Sequence, residues 1–160
     1  MAGEWTEDLS SGVADIDGQH RELYRLVGTL REAMKQRALE QVPAILAGLR
    51  RYTAQHFAAE EAEMELARDP YREAHARLHR AFADQYFHQV RALNEAPSLS
   101  GVLELASWLS AWLREHVREV DGPMARRIRA QAAQRAAARK APTGAGRSGG
   151  LTGSGSRPHR

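Results

Sequence analysis

Four stretches of this chain repeat apolar residues at alternating steps of four and three, and every row contains a histidine. The first reads Ile16, His20, Leu23, Val27, Leu30, Met34. The second reads Ile45, Leu49, Tyr52, His56, Glu60, Met64. The third reads Tyr71, His75, Leu78 with His79, Phe82, Tyr86 and Leu93, and the fourth Val102, Leu105, Leu109, Trp112, His116. Such steps draw one stripe along an α-helix, and facing stripes make the seam of a bundle. No stretch alternates as a strand does. Breakers separate the rows: Pro43 where a helix tolerates it, "RDPY" at 68–71, "NEAPSLS" at 94–100 and "DGP" at 121–123. Short connections make successive helices antiparallel neighbours. The expected fold is all-α, an antiparallel up-down four-helix bundle, and 160 residues suit one such core rather than two.

Charge divides the chain. The last acidic residue is Asp121, while nine of the 23 Lys and Arg residues lie from Arg126 onward. Residues 1–125 therefore hold 14 basic against 20 acidic groups, an acidic domain followed by a basic tail over 126–160. The high pI belongs to the tail, so it gives the domain no nucleic-acid site. Residues 123–140, rich in Ala and Arg, suit an exposed helix, and the Gly/Ser-rich remainder leaves the tail largely disordered. Its charge suits an acidic partner or an anionic surface. There is no cysteine, which excludes disulfides, zinc–thiolate sites and thiol nucleophiles. No apolar run approaches the ~18 residues of a membrane span, and "MAGEWTEDLSSG" has no signal-segment pattern. A cytoplasmic monomer is expected.

The histidines carry the chemistry. His75 and His79 are four residues apart, about 400° of rotation, so they leave one face one turn apart. His20, His56 and His116 occupy the other three seams. A lone seam histidine is usually a satisfied core residue. Five in one bundle, buried without partners, would cost several kcal/mol, and ligating an ion removes that cost. His88 is nine residues past His79 and points away; His159 is in the tail. Glu60 lies one turn past His56. Asp121 lies five past His116, about 140° off its face in a regular helix, so it reaches the same point only if the helix ends at Gly122-Pro123. One ion takes about four to six donors, so five imidazoles and two carboxylates exceed one ion and suit two only if the carboxylates bridge. With a further oxo or hydroxo bridge, one of about twelve octahedral positions stays open for a small ligand.

The motifs "GVADIDGQH", "YTAQHFAAEEAEM", "EAHARLH" and "WLREHVREVD" resemble the hemerythrin family in its bacterial form, over about residues 5–125. The resemblance implies a four-helix bundle around a non-haem centre of two iron ions that binds O2 reversibly. It implies that His75, His79 and His116 hold one iron and His20 and His56 the other. Glu60 and Asp121 then bridge, and the second iron carries the open position. It further implies that Leu23, Phe57, Trp112 and Leu113 line the O2 pocket. Met124 stands where the family often has Tyr, and the basic tail is no part of the family domain.

Donor type separates the function classes. Di-iron oxidases and ferritins of similar bundles use more carboxylates, in Glu-x-x-His repeats. Here no Glu lies three residues before a histidine. A histidine-rich site with an apolar lining and no proton donor favours holding O2 over cleaving it. Reversible O2 binding for storage, delivery or sensing, without enzymatic activity, is the expected function. A di-iron enzyme acting on peroxide or nitric oxide, or an O2-responsive interaction module, is the alternative.

Overall fold

The computed structural model describes residues 5–140. They form α1 (Ala14–Lys35), α2 (Val42–Ala67), α3 (Arg72–Glu95), α4 (Leu99–His116) and α5 (Gly122–Lys140), with no strand among the described residues. Helix α1 packs against α2 and α4, α2 also against α3, and α3 against α4, which closes a four-helix bundle. The Gly/Ser-rich residues 141–160, including His159, lie outside the described residues.

Local chemistry sets the helix ends. Ser98 caps α4, its hydroxyl accepting from the Gly101 N–H at 3.1 Å. Pro43 sits in the first turn of α2. Ahead of α1, the buried Asp17 carboxylate accepts from the Ser10 hydroxyl (2.6 Å) and the N–H groups of Ser11 (2.7 Å) and Gly12 (3.2 Å). Gly12 turns there at φ 73°, a conformation glycine adopts freely. Arg68 ends α2 in the left-handed region at φ 53°.

The main apolar core lies toward one end, with Val27, Leu30, Leu49, Phe82, Leu105 and Leu109 in contact. A second cluster, Ile16, Met64 and Met124, lies toward the other. Along α1, α2 and α4–α5 the seam histidines fall between these two layers, so apolar side chains seal them from both ends. Met124 is fully buried.

Four seam positions differ from expectation. Tyr71 is 58% exposed and Leu78 45%. The buried face of α3 is set instead by His75, Ala76, His79, Phe82 and Tyr86. Tyr71 precedes the helix, and its ring lies 4.6 Å from the Arg127 guanidinium. In α2 the buried face runs through Leu46, Thr53 and Phe57, leaving Ile45 and Tyr52 at its edge.

The largest difference lies after α4. The helix does not end at Gly122-Pro123. Val117–Asp121 form a π-helical turn in which the Gly122 N–H bonds to the Val117 carbonyl, and α5 follows without a break. Residues 126–140, in the segment expected to be largely disordered, are helical, as their Ala and Arg content allows. The start of α5 is docked: Arg127 Nε donates to the buried Asp69 carboxylate at 2.8 Å. Arg135 reaches the Leu66 carbonyl at 3.1 Å.

Candidate metal centre

The bundle brings all seven candidate donors to one interior level. His20 comes from α1, His56 and Glu60 from α2, His75 and His79 from α3, His116 from α4 and Asp121 from the π turn; all seven are buried. In a regular helix Asp121 would point away from His116. The wider π turn adds one residue, and five residues then span little more than one turn, which returns Asp121 to the His116 face.

Each carboxylate turns one oxygen toward each of two histidine groups. Glu60 Oε1 lies 3.7 Å from both His20 Nε2 and His56 Nε2, while Oε2 lies 3.3 Å from His75 Nε2 and 3.4 Å from His79 Nε2. Asp121 Oδ2 lies 3.1 Å from His20 Nε2. Its Oδ1 lies 3.3 Å from His75 Nε2 and 3.1 Å from His116 Nε2. Two overlapping donor sets result, His75, His79 and His116 in one, His20 and His56 in the other, with Glu60 and Asp121 in both. Within each set the donor atoms lie no more than 4.8 Å apart.

The donor set fits cations. All four carboxylate oxygens of Glu60 and Asp121, and both ring nitrogens of His20, are buried without a hydrogen bond. The Nε2 atoms of His75 and His79 stand 3.0 Å apart, and those of His79 and His116 3.2 Å apart. Lone pairs crowded this closely, beside ionised carboxylates, form a site for positive charge. In the metal-free chain protons supply part of it. Burial opposes charge on His20 and His75, but the carboxylates of Asp121 and Glu60 close by outweigh it and raise both to about 9. His56 goes the other way: burial pushes it down to about 4. Burial would raise Glu60 and Asp121, and the Asp121 charge would raise Glu60 further, yet the surrounding imidazoles hold both well below the usual carboxylate range.

A second layer aims the imidazoles. The Glu61 carboxylate accepts from His79 Nδ1 at 2.9 Å, and the Gln19 side-chain oxygen from His56 Nδ1 at 2.8 Å. Each bond puts the proton on Nδ1 and leaves Nε2 free for the interior. Aromatic rings brace His79 again and two more positions. Phe57 stacks on His79 with ring centres 3.7 Å apart, Trp112 on His116 at 4.3 Å and Trp5 on His20 at 6.3 Å. Neither Gln19 nor Glu61 carries a sequence signal of its own. Their place one residue before His20 and one after Glu60 becomes informative only once both helix faces are known.

Beside the centre is a small space of about 20 Å³, room for one molecule of roughly water's size. Leu23, Trp112 and Leu113 line it with Val27, Leu109 and Phe82. Phe57, expected with them, stands outside against His79. Thr53 also lines the space, so the lining carries a hydroxyl where none was expected. His88 is exposed on the far face of α3.

Known proteins show the same arrangement of sequence. The model of the hemerythrin HHE cation binding domain matches residues 11–141. A bacteriohemerythrin of Stenotrophomonas maltophilia is 32% identical over 126 residues, covering 79% of this chain and 81% of that protein. Bacteriohemerythrins of Pseudomonas paraeruginosa and Pseudomonas aeruginosa are each 32% identical over 117 residues, 73% of this chain and 75% of theirs. With the match extending over most of its length, and a buried His/Glu/Asp cluster inside a helical bundle, the chain belongs to the hemerythrin family.

Proposed function

We propose that the chain binds O2 reversibly at a pair of iron ions, as a store, carrier or sensor rather than an enzyme. The observation that carries this reading is the division of labour in the carboxylates: Glu60 and Asp121 each offer one oxygen to either histidine group. His75, His79 and His116 hold one ion and His20 and His56 the other, in an antiparallel up-down bundle whose neighbouring helices meet. The iron pair supplies the O2 affinity when bound. The histidine-rich set contributes five neutral donors and only two anionic ones, which disfavours the high oxidation states of oxygen cleavage. His20 and His56 supply two donors against three, so the open coordination position falls on their side. Leu23, Trp112 and Leu113 keep the adjoining space small and mostly apolar, which limits the water and protons that reach it. Along α5 the exposed Arg126, Arg129, Arg139 and Lys140 form a cationic face suited to an acidic partner.

The test is an optical spectrum of the iron-loaded chain, taken under argon, in air and under argon again, with metal analysis alongside. Two irons per chain and a colour that appears in air and reverses under argon are expected. One specific observation favours a second reading: the Thr53 hydroxyl in the cavity is a proton source of the kind a di-iron enzyme uses. Sustained turnover of peroxide or nitric oxide with a reductant, abolished in Thr53→Val, would replace the carrier by that enzyme.

A further inference from the structure

Next to the small cavity, and sharing Thr53 and Phe82 with it, α2 and α3 part to leave an open groove of about 950 Å³. Small side chains make the room: Ala54 and Ala58, one turn apart on α2, and Ala83 on α3. Phe57 and Phe82 line the groove, their rings edge to face at 5.6 Å. Val90 and Phe87 add apolar wall, and Phe87 is 57% exposed to water with nothing covering it. A space this size, apolar with a few polar groups at its rim, is what small-molecule sites look like.

The two ends differ in charge. Toward the metal centre stands Glu61, already bonded to His79. At the opposite end are Arg50, Arg91, Asn94 and Glu95. Arg91 is engaged with Glu95 at 2.8 Å, and at the rim Arg80 is engaged with Glu73 at 2.9 Å. Arg50 is exposed and makes no ion pair with a carboxylate among the described residues. Asp84, between the ends, disfavours any anionic group along the middle. From Arg50 to Glu61 the groove follows α2 for about 16 Å.

We propose that this groove binds a medium-chain fatty acid, its carboxylate at Arg50 and its alkyl chain over Phe87, Phe82 and Phe57 toward Glu61. One free cation at one end, an apolar floor and no free cation at the other match a molecule with a single anionic head. The Arg50 guanidinium offers the paired donors a carboxylate accepts. His79 also lines the groove, so its Glu61 end adjoins the metal donors, while the Arg50 end stands away from them.

The test is isothermal titration of the full, metal-loaded chain with dodecanoate below its micelle concentration. One saturable site is expected. Octanoate should bind more weakly, by about fourfold for each methylene removed. Dodecyltrimethylammonium, with the same chain and a cationic head, should bind at least tenfold more weakly than dodecanoate. Arg50→Gln should weaken dodecanoate by about tenfold. Ala54→Trp, which fills the groove from an exposed position, should abolish binding, and Ala58→Leu should weaken it. Circular dichroism and metal content identify any variant that misfolds. No saturable binding to the native chain, equal affinity for the cationic amphiphile, or binding undiminished by folded Ala54→Trp would each overturn the proposal.

Discussion

At the residue scale, function rests as much on the side chains behind the donors as on the donors themselves. Glu61 and Gln19 fix the tautomers of His79 and His56, so removing either frees a ring to rotate or to present the wrong nitrogen. Glu61→Ala and Gln19→Ala should each weaken metal retention by about 10- to 100-fold in competition with a chelator. His88→Ala, on the exposed face, should leave retention unchanged. Asp17 serves stability instead. Burial would raise its carboxyl, but the bonds from Ser10, Ser11 and Gly12 outweigh burial and hold it below its ordinary value of 3.8. A depressed folded value stabilises the protein above the unfolded value, and the contribution is lost as pH falls through the folded one. Asp17→Ala should therefore unfold more easily at neutral pH by about 1.5–3 kcal/mol, and the gap should close in urea titrations below about pH 4. The convergence of the five histidines was legible because a seam position is a spacing, and spacing is written in the chain. Gln19, Glu61 and Trp5 were not legible, because their roles depend on how far neighbouring helices are rotated. The same holds for Phe57, one residue from His56 and turned onto His79 rather than into the cavity.

At the element scale, the four helices and their breaks followed from apolar periods and from proline and glycine. Period counting assumes 3.6 residues per turn throughout, and it failed at the one place where the backbone departs from that value. At 3.6 residues per turn Asp121 joins His116 only if the helix stops; the π turn achieves the same alignment while the helix continues. A π turn amounts to one extra residue in an α-helix. Deleting the exposed Glu119 should therefore restore a regular helix with Asp121 still facing His116, and the chain should keep its metal. Inserting one alanine at the same point should rotate Asp121 by about 100° and release metal from both positions. Metal analysis after gel filtration distinguishes the two outcomes. The end of α2 offers a simpler trial. Arg68 holds a left-handed conformation that an L side chain adopts at a cost. Arg68→Gly should raise stability by about 0.5–1 kcal/mol, read as a higher melting temperature.

At the scale of the whole molecule, the centre is a layer of charge between two apolar layers, and its stability is tied to what neutralises it. In the metal-free chain two carboxylates are buried without hydrogen bonds, compensated only by nearby imidazoles. Chelating the metal should lower the melting temperature. With free metal about a thousandfold above its dissociation constant, the loaded chain gains about 4 kcal/mol. That is on the order of 10 °C for a chain of this size. An unchanged melting temperature would mean that the carboxylates find other partners in the apo chain. Apolar periodicity pointed to the bundle but not to the docking of α5, because the Arg127–Asp69 pair joins residues far apart in sequence, and an isolated arginine or aspartate carries no mark of its partner. The shared carboxylates bear also on how the protein is made. His20 leaves the ribosome about a hundred residues before Asp121, roughly 5 to 20 s earlier at ordinary rates of synthesis. A nascent chain in that interval holds at most one of the two shared carboxylates, so neither donor set is complete. Both donor sets are thereby complete only after Asp121 has been translated and α1 to α4 have met.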